Sequence, residues 1–450
     1  MRLILMIAFL TIACAGLFAG PLETLKPGEW YEVPNSHLYD VRPSGWSANV
    51  MDPWSGGAYD TKRDRLLVWG GGHGDYSGNE IYSFDVNTLK WRVEIQPSTD
   101  VGGTECSGIY PDGRPRSRHT YNGLQYVPAN DRFCSPGAGG FYPGAQCGNA
   151  RFDAFNFVTL SWEKLADAPA SSYSTGQFSA VDPVTGHLFS HGAGSNGNIL
   201  AEYDAVKNTW TAHGGRWTEG AYSYSLTAAI DPVRRKMIAV GAGEVWQWDI
   251  TLSGDVAGVK LSTTGATAIV GNSSPGFEYD PVSAEFVAWA GGSDVYTFDL
   301  GTNAWQKHSA APTNSVTPTA AAGHGTFGRF RYIPSKNLFV GVNKITENVF
   351  FYKLTAGAGT GAEVSGARGK NLIAVYPDPV RDFATVRINR AFNASKVSLS
   401  VYNAMGRKVG ALMISGNEIV FPTINLPAGI YLLKGEIGKE KITRAITVLR

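Results

Sequence analysis

Six stretches of this sequence repeat nearly the same pattern, and that repetition constrains the fold more than any other feature. They are YDTKRDRLLVWGG from Tyr59, YVPANDRFCSPGAGG from Tyr126, VDPVTGHLFSHGAG from Val181, IDPVRRKMIAVGAG from Ile230, YDPVSAEFVAWAGG from Tyr279 and YIPSKNLFVGVN from Tyr332. Their starts lie 67, 55, 49, 49 and 53 residues apart. Each reads as a strand, a polar turn built on Asp-Pro or its like, an apolar strand and then glycines. Most run on into a third strand and a fourth marked by tryptophan, at Trp91, Trp162, Trp210 and Trp305. A four-stranded unit of this size cannot bury its apolar face alone and must stack on copies of itself. Composition agrees: there are 54 Gly, 12 Trp, 20 Tyr and 21 Phe, but only 17% charged residues against about 25% in ordinary chains. That profile suits short strands and tight turns and disfavours coiled coils and helical solenoids. With 43% hydrophobic residues, most of the chain has the material for a core.

Four strands, paired glycines and a late aromatic make up a propeller blade. The repeats resemble the kelch and galactose-oxidase-like propellers, and the resemblance implies an all-β, kelch-like β-propeller over residues 21–354. Six blades are expected, or seven if the long loops hide one. GEWYEVPNS, with Trp30, looks like an orphan fourth strand, and the last copy ends at Phe350–Leu354 without a tryptophan strand of its own. The N-terminal strand is therefore expected to complete the final blade. Such a match speaks to fold and leaves function open.

Both ends of the chain carry a different signal. Residues 1–20 place Arg2 before an apolar run of about ten residues and then small residues, the layout of a secretory signal peptide. Cleavage is expected after Ala15 or near Ala19, and export permits disulfides. Cys106 and Cys147 lie in Gly-rich loop sequence and are the expected pair, leaving Cys134 buried and free. Residues 355–370 are rich in Gly and Ala without periodicity, a linker. Residues 371–450 alternate apolar and polar in short runs (ATVRI, VSLSVYN, GIYLLKG, ITRAITVL), the pattern of a small antiparallel β-sandwich. There, YPDPVRD, VYNAMGRKV, INLPAGIYLLKG and a Lys/Arg-dotted end resemble the C-terminal sorting domain of the type IX secretion system, with Asp378 where that family usually has Asn. The resemblance implies an address read by the secretion machinery, a destination outside the cell or on the outer-membrane surface by way of the periplasm, and no role in chemistry. Charge divides the same way. From Gly369 onward there are 12 Lys/Arg against 5 Asp/Glu, and the first 368 residues carry a net −6. That mildly acidic body argues against nucleic-acid or anionic-membrane binding. A monomer is expected.

In a propeller, the loops before each innermost strand and those between the second and third strands open on one face around the channel. The first blade contributes His73, Asp75, Tyr76, Asn79 and Glu80 to those loops, and the second Arg116, Arg118, His119 and Tyr121. The third gives Tyr173, Gln177 and His191, the fourth Arg216, Trp217, Glu219, Tyr222 and Tyr224, and the last His324, Phe327 and Arg329. The leading expectation is a polysaccharide lyase in which His73, His119 and Tyr222 handle protons and Arg118 neutralises a uronate carboxylate. Asp75, Tyr76, Asn79, Tyr173, His191, Trp217, His324 and Arg329 would bind the sugar. A hydrolase would draw on Asp75, Glu80 and Glu219, but acidic groups are sparse here. Copper-oxidase chemistry needs two His, two Tyr and a Cys beside one Tyr, a set the sequence does not reproduce, so no metal or cofactor is expected. The alternative class is a non-catalytic propeller that binds an extracellular glycan or a protein. Each histidine also has a plain structural reading: His73 as a turn residue, His119 beside a blade-bracing Arg118, and His191 as a satisfied core histidine.

Overall fold

The computed structural model describes residues 20–356 apart from 104, 138, 145–148, 171, 174, 194–198, 215–223 and 322. In the C-terminal part it describes residues 373–448 apart from 377–379, 381–382, 389–396, 404–405, 415–417 and 438–439. The chain divides into two compact units, Met1–Ala356 and Gly357–Arg450.

In the first unit the described residues form six antiparallel meanders. Their innermost strands are Gly57–Asp60, Gln125–Val127, Phe178–Val181, Thr227–Asp231, Gly276–Asp280 and Phe330–Ile333, for blades one to six. These six strands contact one another in cyclic order, the last against the first, which closes a propeller. The repeated aspartate explains the repeated turn. Asp60, Asp182, Asp231 and Asp280 are buried at the ends of innermost strands. Each carboxylate accepts hydrogen bonds from the backbone N–H groups two and three residues on, at 3.0 and 3.1 Å for Asp60 and 2.8 and 2.9 Å for Asp231. The turn then closes through a left-handed residue, Asp64 in the first blade and Arg235 in the fourth, at φ of 50° and 59°. Two of the late tryptophans tie their blade to a neighbouring segment by a hydrogen bond. Trp91 Nε1 donates to Ser36 O at 2.8 Å and Trp210 Nε1 to Ala166 O at 2.9 Å.

The ring closes as the orphan strand suggested. Trp30–Glu32 pairs antiparallel with Phe350–Tyr352, Trp30 opposite Tyr352, so the last blade takes its outer strand from the start of the propeller. Inside the ring, Arg331 holds Glu278 of blade five at 3.0 Å and donates to Gly57 O of blade one at 2.9 Å, joining three blades across the seam. Cys134 is buried and free, packed with Phe152 and Tyr203, and Cys106 is disulfide-bonded. Cys147 lies outside the described residues.

The second unit has a three-stranded sheet (Ile373–Tyr376, Phe383–Ile388, Glu418–Pro422) and a four-stranded one (Val397–Asn403, Lys408–Ile414, Gly429–Ile437, Glu440–Val448). Alternate residues such as Val386, Leu399, Val401, Leu433 and Ile446 form its buried core, as strand periodicity requires. The expected signal peptide, residues 1–20, lies outside the described residues except for Gly20, and so does the expected linker, residues 355–370, beyond 356.

Candidate functional site

Blades one, two and six build a mouth at one end of the channel from three loops and a ribbon. The first-blade loop runs Gly70–Gly71–Gly72–His73, with Gly72 at φ +76°. A Cβ on Gly72 would stand 2.3 Å from Arg118 Cα and 2.5 Å from Gly140 O, so only glycine lets this loop lie on the ribbon of Arg118–His119 and Gly139–Phe141. His73 N–H then donates to Gly140 O at 2.9 Å, which sets its ring 5.5 Å from that of His119.

His119 is the hub. It is buried, with Nε2 at 3.1 Å from Asp75 Oδ2 and Nδ1 at 3.4 Å from the Tyr121 hydroxyl. Trp54, from the loop entering blade one, lies 4.8 Å from the His119 ring and stacks on His324 at 3.5 Å between centroids. Among the described residues no hydrogen bond occupies the ring nitrogens of His73 or His324. One donor atom each from His73, Asp75 and His119 lies within 4.8 Å of the others, so these three are the residues placed to hold a cation. Burial holds the His119 imidazole below its usual pKa, with Asp75 opposing and the His73 and His324 rings adding to the effect. Burial also lowers His324, against the pull of Asp75 and Asp52. Tyr121 is pushed above the usual phenol range by burial, so its hydroxyl stays protonated.

Four aromatic residues of this mouth sit in the left-handed region: Trp54, His73, Tyr121 and Phe327, at φ of 39°, 43°, 47° and 50°. Bulky residues rarely adopt it, and each such residue costs about 1–3 kcal/mol. The surroundings impose it. Tyr121 N–H donates to Trp54 O at 2.6 Å, Phe327 N–H to Ser274 O at 2.9 Å, and a Cβ on Gly56 would meet Tyr121 O at 2.2 Å.

Other expected site residues lie elsewhere. Arg118 is fully buried, paired with Asp153 at 2.5 Å and donating to Arg116 O, so it is not placed to meet a substrate carboxylate. Arg329 is buried as well; its guanidinium donates to Ser55 O and, at 2.7 Å, to Gly325 O, bracing blade six on blade one. Burial lowers its pKa to about 10. His191 is a core residue, stacked on Phe178 at 5.2 Å and beside Trp248 at 5.0 Å. Tyr76 is buried with its hydroxyl on Glu80 at 2.5 Å, and Asn79 is buried on Ser98 and Pro115. These two shape the loop from beneath instead of facing a ligand. Tyr173 is half-buried against Gly137 in blade two. Trp217 and Tyr222 lie outside the described residues, as do Arg216 and Glu219. Sequence reading missed Trp54 and the exposed Asp52 and gave Tyr121 no role. A shared signal existed: Trp54-Ser-Gly56, Tyr121-Asn-Gly123 and Phe327-Gly328 each set an aromatic just before a glycine at the entry to an innermost strand.

Residues 374–449 match the family described as secretion system C-terminal sorting domain. The C-terminal unit is a secretion sorting domain. It marks the chain as cargo of the type IX system, carried to the cell surface or the extracellular space. No curated protein matches the chain. Among solved structures it is similar to a novel fungal alcohol oxidase of the AA5 family, in complex with copper, at 13% identity and a TM-score of 0.44 over 94% of this chain and 99% of that one. It is also similar to PorZ, a surface component of the type-IX secretion system of Porphyromonas gingivalis, at 12% identity and 0.42 over 92% of this chain and 54% of that one. A third is YjhT, at 14% identity and 0.43 over 69% of this chain and 95% of that one.

Proposed function

We propose that the mouth formed by blades one, two and six is a lyase site for an extracellular acidic polysaccharide. In that reaction a base takes the proton from the carbon beside a uronate carboxylate while an acid protonates the departing glycosidic oxygen. A C–H and a C–O bond break, a C=C bond forms, and no water is consumed. His324 serves as base: its imidazole is neutral at neutral pH and is held flat on Trp54. Tyr121 serves as acid, its hydroxyl oriented by His119 Nδ1 at 3.4 Å. The observation that carries this reading is the convergence of three imidazoles, a phenol and a carboxylate, with His73, Tyr121 and the adjoining Trp54 and Phe327 on imposed left-handed backbone. Strain of that kind persists where surrounding structure holds groups in place for a task. Export through the sorting domain puts the substrate outside the cell.

The Trp54–His324 stack favours a second reading, a non-catalytic glycan platform, because a flat aromatic face suits a sugar ring. The test incubates the full chain with a panel of acidic polysaccharides, following ultraviolet absorbance of unsaturated uronide and release of reducing ends together. Both should rise, and His324→Ala should lower turnover by about 100-fold or more while binding is kept. Reducing ends without absorbance would replace the lyase with a hydrolase. Silence in both, with one glycan still bound, would leave the platform reading.

A further inference from the structure

We propose that His73, Asp75 and His119 bind one divalent first-row transition ion, for which zinc is the probe. Resting on the lyase reading, we assign that ion the positive charge that faces the substrate carboxylate.

The donor set comes first. Two imidazoles and one carboxylate are the ligands of three-coordinate protein sites that leave positions open for a substrate. The donor atoms all lie within 4.8 Å of one another, and the His119–Asp75 pair is already at 3.1 Å. Zinc at about 2.0–2.2 Å from each ligand needs donors roughly 3–3.5 Å apart, a spacing the His119–Asp75 pair already has, and the His73 donor lies within 4.8 Å of both. The scaffold comes second. His73 and Asp75 stand on one tight loop, pinned by His73 N–H to Gly140 O and Asp75 N–H to Gly72 O, each at 2.9 Å. His119 arrives from a different blade on the ribbon that this loop covers, so the grouping is made by the fold and not by neighbours in sequence. Third, with Nε2 on the ion, His119 Nδ1–H points to the Tyr121 oxygen, the outer-shell partner that orients a ligating imidazole.

The chemistry around the mouth leaves this role open. Arg116, Arg118 and Arg329 are the described arginines expected there, and all three are buried. Arg116 donates to Tyr142 O and Gly102 O, Arg118 pairs with Asp153, and Arg329 donates to Ser55 O and Gly325 O. An ion on the His73–Asp75–His119 face would supply the charge that those guanidinium groups do not.

The experiment strips the full chain with a chelator, then titrates zinc by calorimetry and records the visible spectrum of the cobalt(II) form. One ion per chain is expected, with Asp75→Asn and His73→Ala each weakening it by about 10- to 100-fold or more. Asp75 is exposed, so its amide variant should keep the fold, checked by circular dichroism. His187→Ala should leave binding unchanged; His187 belongs to a separate group in which Glu202 lies between His187 and His213 at 2.5 and 2.9 Å. No saturable zinc binding, or zinc binding that survives both mouth variants, would overturn the site. Elimination that persists after chelation would remove the ion's role and leave the lyase standing. Zinc held as described with no elimination on any acidic polysaccharide would do the reverse.

Discussion

The mouth at blades one, two and six and the junction of blades three and four both put histidine against tryptophan, yet they treat it in opposite ways. At the mouth, His324 lies on Trp54 with its ring half-exposed, and His119 reaches an exposed aspartate. At the junction, His191 lies beside Trp248 and is sealed from solvent. The element that carries each residue decides between them. His191 ends a regular strand, Leu188–His191, opposite Phe178 on one side and Leu200 on the other. Strand alternation therefore turns it into the blade stack. Trp54, His73 and Tyr121 stand on left-handed backbone outside any ladder longer than two residues, so their side chains leave the blade plane and meet at the channel. Residue type alone says little about role in this fold; backbone region says more.

The most forceful way to break that contrast is at Arg118, which belongs to the mouth by sequence and to the core by structure. Arg118→Ala should cost about 3–5 kcal/mol of stability, since it empties a fully buried side-chain site and removes a charge-assisted hydrogen bond to Asp153, which keeps only Arg151 at 2.6 Å. Denaturant unfolding measures it. A variant that unfolds normally but loses only turnover would return Arg118 to the ligand face.

His191 sharpens the contrast through pH. Burial depresses its pKa from 6.5 to about 4, against the pull of its hydrogen bond to Gly192 O. Above pH 6.5 both folded and unfolded forms are neutral and the full stability is present. As pH falls from 6.5 to 4 the unfolded chain takes up a proton that the folded chain refuses, and stability drops by about 3 kcal/mol from this group. Below pH 4 it adds no further loss. His191→Phe keeps the stack on Phe178 and should remove that component from a stability profile between pH 4 and 7. An unchanged slope would place the titration elsewhere.

Much of this architecture was legible because repetition and alternation are local in sequence. The Asp-Pro turns, the late tryptophans and the orphan Trp30 strand each announce an element, and the sheets form where those signals fall. His73, Asp75 and His324 stand in glycine-rich loops and meet His119 as expected, whereas His191, expected on the same face, lies in the core. What stayed hidden was which polar residues would be bound internally. Arg118 and Arg329 look like ligand residues until Asp153, Ser55 and Gly325 are seen around them, partners 35, 274 and 4 positions away. Trp54 went unread because the repeat begins at Tyr59 and the tryptophan precedes it.

Trp54 gives the finest test of whether backbone region governs this mouth. At φ 39° an alanine keeps the steric penalty of the left-handed region and a glycine escapes it. Ordinarily glycine is the less stable choice, by about 0.5–1 kcal/mol, because the unfolded chain gains freedom. At this position the order should invert, with Trp54→Gly more stable than Trp54→Ala by about 1 kcal/mol in denaturant unfolding. Both variants lose the ring beneath His324 and should weaken polysaccharide binding alike, by about tenfold, as expected for one lost stacking face. Alanine equal to or better than glycine would mean that this backbone is relaxed, and the distinction between an imposed mouth and a regular core would rest on burial alone. Inversion together with equal losses of binding would separate the two contributions of Trp54: its ring serves the ligand, and its strained backbone is the cost of holding that ring in place.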